Sequence, residues 1–267
     1  MCIFALKSFL RFFNNIAVVV HDDGSLDAKS ILLLRRHIIG LRIIGRKSAD
    51  EEIEQMLPKK SCLAARQWRV HFMLAFDYFL FSSAQKIIGL DTDTLFLKYP
   101  REIIDWIQSG EKVNLYSYEE HACYFPLDNN SKESMLYKNE ETILSIVQGV
   151  NGGLFCAYRN IADFDIAEKH LKFMIRTNSL ATYPFAQNIL SVYLSHSVIP
   201  FRPLSISQHK TMVDYYFIRN AFYSPSRFRS KSVFKHYNYY AIRHDLKFGY
   251  VRDVIRVFVE LFMSLFS

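Results

Sequence analysis

The stretch from residue 86 to residue 100 reads KIIGLDTDTLFLKYP and is more informative than any other part of the chain. An apolar run ends abruptly in Asp91-Thr92-Asp93, and a second apolar run, Leu95 to Leu97, follows at once. The pattern predicts a buried strand that ends in two carboxylates at the edge of a sheet. Alternate residues of an extended chain point to opposite faces, so a turn at Thr92 would have to bring the carboxylates together. Such a pair suits Mg²⁺ or Mn²⁺, with water and phosphate as further ligands.

The composition is that of a folded domain. The chain has 267 residues, of which 50% are hydrophobic and 22% charged, and no Pro/Gly-rich linker divides it. One large core is therefore expected rather than disorder. The net charge of +7 favours anionic partners such as nucleotide phosphates or anionic lipid. No nucleic-acid motif accompanies the basic residues, so nucleic acid is not an expected partner.

Cysteine spacing and the apolar segments indicate the compartment. The four cysteines lie far apart and form no CxxC pair, which argues against a zinc knuckle and favours free thiols. Lys7 and Arg11 interrupt the apolar N-terminus, and no cleavage site follows it, so no signal peptide is predicted. No uncharged apolar run approaches the roughly 20 residues of a membrane span. We therefore expect a cytoplasmic protein.

The C-terminal tail, residues 251–267, is predicted to be an apolar helix. One interpretation docks this helix on the core. The other uses Arg252, Arg256 and the phenylalanines at 258, 262 and 266 for peripheral contact with an anionic membrane, at the inner face.

Strand and helix signals alternate along the chain, as is typical of an α/β domain whose ligands bind at the carboxyl ends of strands. Apolar runs predict strands at 16–20, 41–44, 86–90, 113–118, 154–157 and 198–200. Helical spacing predicts helices at 28–37, 48–57, 64–82, 101–107, 162–176 and 185–194. Ser25 or Asp27 is expected to cap the first of these, and Ser48 with Glu51 to form a capping box on the second.

Five motifs carry a family resemblance. In chain order they are VVVHDDGSL at 18–26, DTD at 91–93, NGGLF at 151–155, FAQN at 185–188 and FKHY at 234–237. The series resembles the GT-A-fold nucleotide-diphospho-sugar glycosyltransferases, near the glycogenin and lipopolysaccharide-galactosyltransferase group, over residues 8–245. The resemblance implies one Rossmann-like GT-A domain over residues 1–250, with a mostly parallel central sheet flanked by helices. It also implies hexose transfer from a nucleotide-diphosphate sugar to an acceptor hydroxyl.

The resemblance implies a metal site at the strand end. Asp91 and Asp93 would hold Mn²⁺ or Mg²⁺ against the donor diphosphate, and His236 would be the third ligand. A cation on fixed carboxylates stabilises charge that develops on a leaving diphosphate. Lys235 would add a positive charge beside it.

The remaining implied roles concern the donor sugar. Asn151, Gly152 and Gly153 would form the acceptor-side wall beside the donor sugar, where the glycines let the sugar approach the backbone closely. Gln187 would lie near the reacting sugar, and it and Asn151 are the predicted catalytic residues. Asp22 and Asp23 are candidates for catalysis or for positioning the donor, and Arg66 is a candidate for donor phosphate contact. A solvated or core-capping role for Arg66 stays open.

The chain departs from the family pattern in three ways. Only residues 1–15 precede the strand that leads to HDDGS, so the usual first strand is expected to be missing, through a truncated N-terminus. Ala186 replaces a common acidic residue, and Leu74 replaces a lysine three positions ahead of Asp77. These departures predict a weakened or inactive member. The alternative function is a non-catalytic sugar-nucleotide or glycan-binding relative.

Several interpretations stay open. The aspartate pair, Asp22-Asp23-Gly24 and Gly152-Gly153 are also typical of turns and bulges, and His236 of a hydrogen-bonded core residue. An apolar strand ending in Asp-x-Asp also resembles a haloacid-dehalogenase-type phosphatase, but Leu95 occupies the position of its threonine. The donor sugar, the acceptor (glycan, lipid-linked or protein) and the stereochemistry are undecided. Glu119, Glu120 and Asp163 are unranked candidates for a base.

Overall fold

The computed structural model describes residues 1–119, 147, 149–176, 185–205, 209–211, 234–236 and 247–263. At residues 185–186, 210–211, 234–236, 247–250 and 252 it describes the backbone alone.

Helices in these ranges are α1 (Cys2–Leu10), α2 (Ala28–His37), α3 (Arg46–Met56), α4 (Lys60–Trp68), α5 (Asp77–Leu80), α6 (Arg101–Gln108), α7 (Phe164–Arg176), α8 (Phe185–His196) and α9 (Lys247–Met263). Short 3₁₀ helices lie at Val70–Leu74 and Arg159–Ile161. The strands are β1 (Val19–His21), β2 (Arg42–Ile44), β3 (Lys86–Leu90), β4 (Thr94–Phe96), β5 (Asn114–Tyr118), β6 (Val150–Tyr158), β7 (Phe201–Pro203), β8 (His209–Thr211) and β9 (Phe234–His236).

The strands form three sheets. The central sheet has the order β3-β6-β5-β7, in which β6 is antiparallel to both neighbours and β7 is parallel to β5. β1 and β2 form a parallel pair, and β4-β9-β8 form a third sheet. The α/β fold class is confirmed, but strand directions are more mixed than the mostly parallel sheet that was expected. The reason is that β6 lies between β3 and β5 and runs against both.

Apolar side chains bury both faces of the central sheet. One cluster holds the aromatic residues that precede β3 together with α4, α7 and α8, and includes Phe72, Phe76 and Tyr193. The other holds α1, β4 and α6, and includes Phe9, Phe96 and Trp106. The arrangement is a sheet flanked by helices, which holds the ends of its strands in fixed positions.

Several elements lie where the sequence predicts them. Helix α2 begins and ends as predicted, and Asp27 caps it by accepting a hydrogen bond of 2.7 Å from the Ser30 amide. β3 also has its predicted bounds. The predicted strand at 154–157 is longer, because β6 begins at Val150 and contains the glycine pair.

Three local predictions were wrong. The helix expected over 64–82 is broken into α4, a 3₁₀ turn and α5, because Arg69 is extended (φ −140°, ψ 128°). Ser48 does not cap α3, which begins earlier at Arg46 behind Gly45. The strand expected at 198–200 is β7, three residues further on, where the chain can pair with β5.

A cavity of about 480 Å³ lies between β1 and β3. Both strands line it, together with one face of α1, and it reaches Asp91 and Thr92 at one end. Within the described part of the chain, β1 pairs with β2 and β3 pairs with β6, so one edge of each strand faces this space.

Cys2, Cys62 and Cys156 carry free thiols, and Cys123 lies outside the described residues. In the described part of the chain no helix has both the length and the apolar character that a membrane span requires.

Candidate functional site

The centre of the candidate site is the hydrogen bond that joins the DTD and NGG motifs. β3 pairs with β6 so that Leu90 lies opposite Leu154, and the next amide, of Asp91, donates to the Gly153 carbonyl at 3.0 Å. The Thr94 hydroxyl donates to the Asp91 carbonyl at 2.7 Å and closes the turn between β3 and β4. Asp91 therefore has a fixed backbone, while its side chain and that of Asp93 remain partly exposed.

A bulge interrupts the pairing of β6 with β5 at the glycine pair. Tyr116 lies opposite Phe155, but the next residue, Ser117, lies opposite Asn151, so the stretch between them on β6 leaves the ladder. The bulge predicted as one interpretation of Gly152-Gly153 is confirmed. The bulge lies on the β5 side of β6, whereas the Asp91–Gly153 bond lies on the β3 side and continues the β3–β6 register one residue past Leu90 and Leu154.

Gln187 and Leu74 close around Gly152. A methyl group at Gly152 would lie 2.6 Å from Leu74 Cδ2 and 3.1 Å from Gln187 Cγ. The space that the missing Cβ leaves is thus filled by two of the protein's own side chains. One reason for glycine at this position is therefore contact with α8 and the 3₁₀ turn before α5.

Asn151 is held in place from two sides. Its Nδ2 donates to Glu119 Oε2 at 2.6 Å, and its Oδ1 accepts from the Gly153 amide at 2.8 Å. Asn151 and Glu119 are both buried. Glu119 follows β5, and its amide donates to the Gly149 carbonyl at 2.8 Å, which brings it across from the start of β6.

Of the three base candidates, Glu119 alone is shown beside the site. Asp163 caps α7 at the surface, where it accepts from the amides of Asp165 and Ile166, and Glu120 lies outside the described residues. Sequence reasoning did not single out the Glu119–Asn151 contact, because it depends on where the β5–β6 ladder is interrupted.

Strand β9 brings the backbone of the predicted third metal ligand, His236, close to the aspartates. The backbone of His236 lies opposite Thr94, the residue after Asp93, and that of Lys235 lies opposite Leu95. The structure therefore brings the backbones of the DTD and FKHY motifs together, and their side-chain contacts stay a prediction.

The strand end fits a divalent cation by its chemistry. Two partly exposed carboxylates on a fixed turn are the hard oxygen ligands that Mg²⁺ and Mn²⁺ prefer. In the described part of the chain no three His, Cys, Asp or Glu side chains gather as a complete metal site. The His236 side chain is not among those described, so the predicted set of three stays a prediction.

Tyr78 and His21 line the same cavity as Asp91. Tyr78 lies between His21, at 4.9 Å between ring centroids, and Phe155 of β6, at 6.3 Å. Burial raises the pKa of Tyr78, and the negative charge of Asp91 raises it further. Burial lowers the pKa of His21 to about 4, helped by the positive charges of Arg42 and Arg66. Both rings are therefore neutral near pH 7.

Asp22 lines a different pocket, and Asp23 follows it in the chain. Asp22 Oδ1 accepts from the amides of Gly24 and Leu26, at 2.9 and 3.1 Å, so it forms the turn after β1. An open pocket of about 600 Å³ beside it is lined by Arg46 and three acidic residues of α3, and it shares no lining residue with the cavity that reaches Asp91. The predicted donor contact of these aspartates stays a prediction.

Arg66 has an internal role in this structure. Its Nε and Nη2 each donate to Asp77 at 2.7 Å, and its Nη1 donates to Asp50. The Arg66 side chain is 1% exposed and that of Asp77 is 0% exposed. The phosphate contact of Arg66 stays a prediction. Its guanidinium already binds two carboxylates, which disfavours a further contact with phosphate.

Two solved structures have similar folds. Mouse xyloside xylosyltransferase 1, in its apo form, matches with a TM-score of 0.53 at 12% identity, covering 90% of this chain and 92% of that one. An active-site variant of LgtC, with glutamine changed to glutamate, matches with a TM-score of 0.50 at 14% identity, covering 88% of this chain and 82% of that one. The chain has a GT-A fold. No protein-family description and no curated protein matches its sequence.

The fold expected from the five motifs is thus confirmed. Both of these neighbours are glycosyltransferases, and neither supports the phosphatase interpretation. At 12% and 14% identity the likeness shows the fold alone.

Proposed function

We propose that the chain is a glycosyltransferase that moves a hexose from a nucleotide-diphosphate sugar to an acceptor hydroxyl. The observation that carries the proposal is the convergence of three motifs that lie far apart in sequence. The Asp91 amide binds the Gly153 carbonyl, and Gly152 contacts Gln187. These contacts bring Asp91, Asn151 and Gln187 into one region at the end of β3. Their proximity supports a shared site for a cation and a donor sugar.

The reaction breaks the bond between the anomeric carbon and a phosphate oxygen, whose electron pair leaves with the diphosphate. The acceptor oxygen forms the new bond, and its proton passes to a carboxylate base or to the leaving diphosphate. Asp91, Asp93 and His236 would hold the divalent cation, which, when bound, neutralises charge on the departing diphosphate. Lys235, on the same strand as His236, would add positive charge.

The chain's polar side chains would position the sugar. Asn151 cannot rotate freely, because Glu119 and the Gly153 amide hold both ends of its amide group. Gln187 stands on the first turn of α8, where the buried positions that follow it fix the helix. In the LgtC structure an active-site glutamine is the residue that was changed, which supports a role for Gln187 at the reacting sugar.

A non-catalytic relative is the second candidate, and Leu74 favours it. The resemblance implies a lysine here, whereas the leucine presents an apolar carbon to Gly152 in the middle of the site. Loss of one positive charge would weaken stabilisation of the leaving diphosphate without preventing binding. Binding of a nucleotide sugar with no release of nucleotide diphosphate would identify this alternative.

The test separates donor binding from turnover. Thermal melting with Mn²⁺ and UDP- or GDP-sugars should raise the melting temperature of the wild-type chain by a few degrees, because a ligand that binds only the folded state stabilises it. Asp91→Asn should abolish this shift and reduce release of nucleotide diphosphate by about a hundredfold or more. Asp105→Asn, an exposed change on α6, is the matched control.

The proposal fails if Asp91→Asn leaves both the shift and the turnover unchanged. It also fails if no nucleotide sugar shifts the melting temperature of the wild-type chain with Mn²⁺ or Mg²⁺ present.

A further inference from the structure

Among the described residues, helix α9 carries an apolar face that is exposed. Six of its side chains are between 45% and 62% exposed. We call them the apolar stripe: Val251, Ile255, Phe258, Val259, Phe262 and Met263. Single exposed apolar side chains are ordinary, but a contiguous set on one element marks an interaction surface.

The stripe follows from helical geometry. At about 100° per residue, all members except Met263 fall within an arc of about 100° around the helix axis. Asp253 and Val257 lie on the opposite side and are buried against the protein. One side of α9 is therefore fixed to the fold, and the other faces outward along most of the 17-residue helix.

Ion pairs fix the orientation of α9. Arg11, just after α1, forms an ion pair with Glu260 at 2.7 Å and donates a hydrogen bond to the Phe96 carbonyl of β4 at 3.1 Å, and its side chain is almost buried. Arg256 also binds Glu260, at 2.9 Å. These bonds join α9 to the core of the domain, so the stripe has a defined direction.

Charge around the stripe is positive. Around the helix axis the position of Arg252 follows Val259 and that of Arg256 follows Met263, so two arginines border the apolar stripe on one side. Of the two acidic residues of α9, Asp253 is buried and Glu260 is bound to two arginines. The stripe thus meets solvent next to basic residues, on a chain with a net charge of +7.

We propose that the apolar stripe of α9 docks this protein on the surface of a membrane that contains anionic lipid. An amphipathic helix with phenylalanines on one face and arginines beside them lies in the plane of the interface, with its apolar side among the acyl chains. Arginines at the border meet the negative headgroups. A second copy of the chain fits less well, because each copy brings the same positive border and the same net charge. The inference does not depend on the proposed enzymatic activity.

The experiment is vesicle co-sedimentation of the full chain at low salt. The probes are phosphatidylcholine vesicles with about 30% phosphatidylglycerol and vesicles of phosphatidylcholine alone, since anionic lipid should strengthen binding. Phe258→Asp/Phe262→Asp should lower partitioning onto the anionic vesicles by about tenfold or more. Leu32→Asp/Ile39→Asp adds the same two charges at side chains that are 70% and 98% exposed elsewhere, and should lower it less than about twofold.

Two further measurements make the outcome decisive. Phe258→Ser/Phe262→Ser removes apolar surface without adding charge and should also lose binding, while the melting temperatures of all variants stay near that of the wild type. Light scattering reports the oligomeric state. Equal binding by the wild type and both stripe variants overturns the proposal, as does no binding to anionic vesicles. A dimer that only the stripe variants abolish, without vesicle binding, assigns the face to a second copy and also overturns it.

Discussion

Gly152 has room for a hydrogen atom on the side that faces Leu74 and Gln187, and for nothing larger. A Cβ there would approach Leu74 Cδ2 to 2.6 Å, well inside van der Waals contact. The end of a leucine side chain can move, but Gln187 Cγ at 3.1 Å lies closer to its own helix. A larger side chain at residue 152 would therefore displace Gln187, so the position of Gln187 depends on glycine in the bulge of β6.

Gly152→Ala should impair the site more than the fold. Displacing Gln187 by even part of an ångström is expected to lower turnover about tenfold to a hundredfold, because misplacement of about 1 Å can cost that much. Initial rates of nucleotide diphosphate release measure the effect. Gly110→Ala is the control, since a methyl group at that residue would have no other atom within 4 Å. Equal rates for the two variants would contradict the coupling.

At the scale of elements, one buried arginine holds three helices together through two ion pairs. Arg66 of α4 binds Asp77 of α5 with two parallel hydrogen bonds and Asp50 of α3 with a third. This bidentate geometry suits arginine and cannot be reproduced by lysine. The pair also explains the break in the helix expected over 64–82, because the chain must turn back at Arg69 for Asp77 to face Arg66.

Arg66→Leu should therefore destabilise the protein strongly. It leaves the Asp77 carboxylate buried without its partner, which costs about 3–5 kcal/mol. Arg66→Lys should recover part of that loss. Arg202→Leu removes a partly exposed ion pair with Glu102 and should cost less than about 1 kcal/mol. Urea denaturation measures the free energy of unfolding, and a small loss in Arg66→Leu would show that the pair contributes little.

Local signals predicted elements that local forces determine. Asp27 and the apolar spacing after it predicted α2, and the apolar run that ends at Leu90 predicted β3. The sequence did not reveal the break after Trp68, because its apolar residues keep helical spacing through the 3₁₀ turn and α5. The order of the motifs predicted that Asp91, Asn151 and Gln187 lie near one another. The contact between Asn151 and Glu119 could not be predicted, because it depends on the β5–β6 register, which no local pattern encodes.

At the scale of the whole molecule, His21 and His170 have lowered pKa values in a chain whose net charge is +7. His21 lies against Tyr78 at the end of β1, and His170 is buried within α7. Burial is the main cause that lowers the pKa of each to about 4, and neighbouring positive charges (Arg42 and Arg66 for His21, His196 for His170) lower it further. Protonation of either ring would place a positive charge in a poorly hydrated environment and close to other positive charges, so both rings resist protonation.

Stability should therefore fall in weakly acidic solution. Between pH 6.5 and about 4 the unfolded chain binds protons at these histidines and the folded chain does not, so the free energy of unfolding decreases as pH falls. Going from pH 7 to pH 5 should cost about 2 kcal/mol for each histidine. Asp50 and Glu168, whose pKa values hydrogen bonds and cations lower despite burial, stay ionised in this window.

Replacing one buried histidine isolates its share of this effect. His170→Asn should reduce the difference in unfolding free energy between pH 7 and pH 5 by about 1–2 kcal/mol, whatever its effect at pH 7. His37→Asn, at an exposed position at the end of α2, should leave the difference unchanged. Denaturation at the two pH values, with the slope against urea compared to exclude a change in the unfolded state, provides the measurement. If both variants keep the wild-type difference, the acid sensitivity arises from groups other than His170, and its burial in α7 does not hold it neutral.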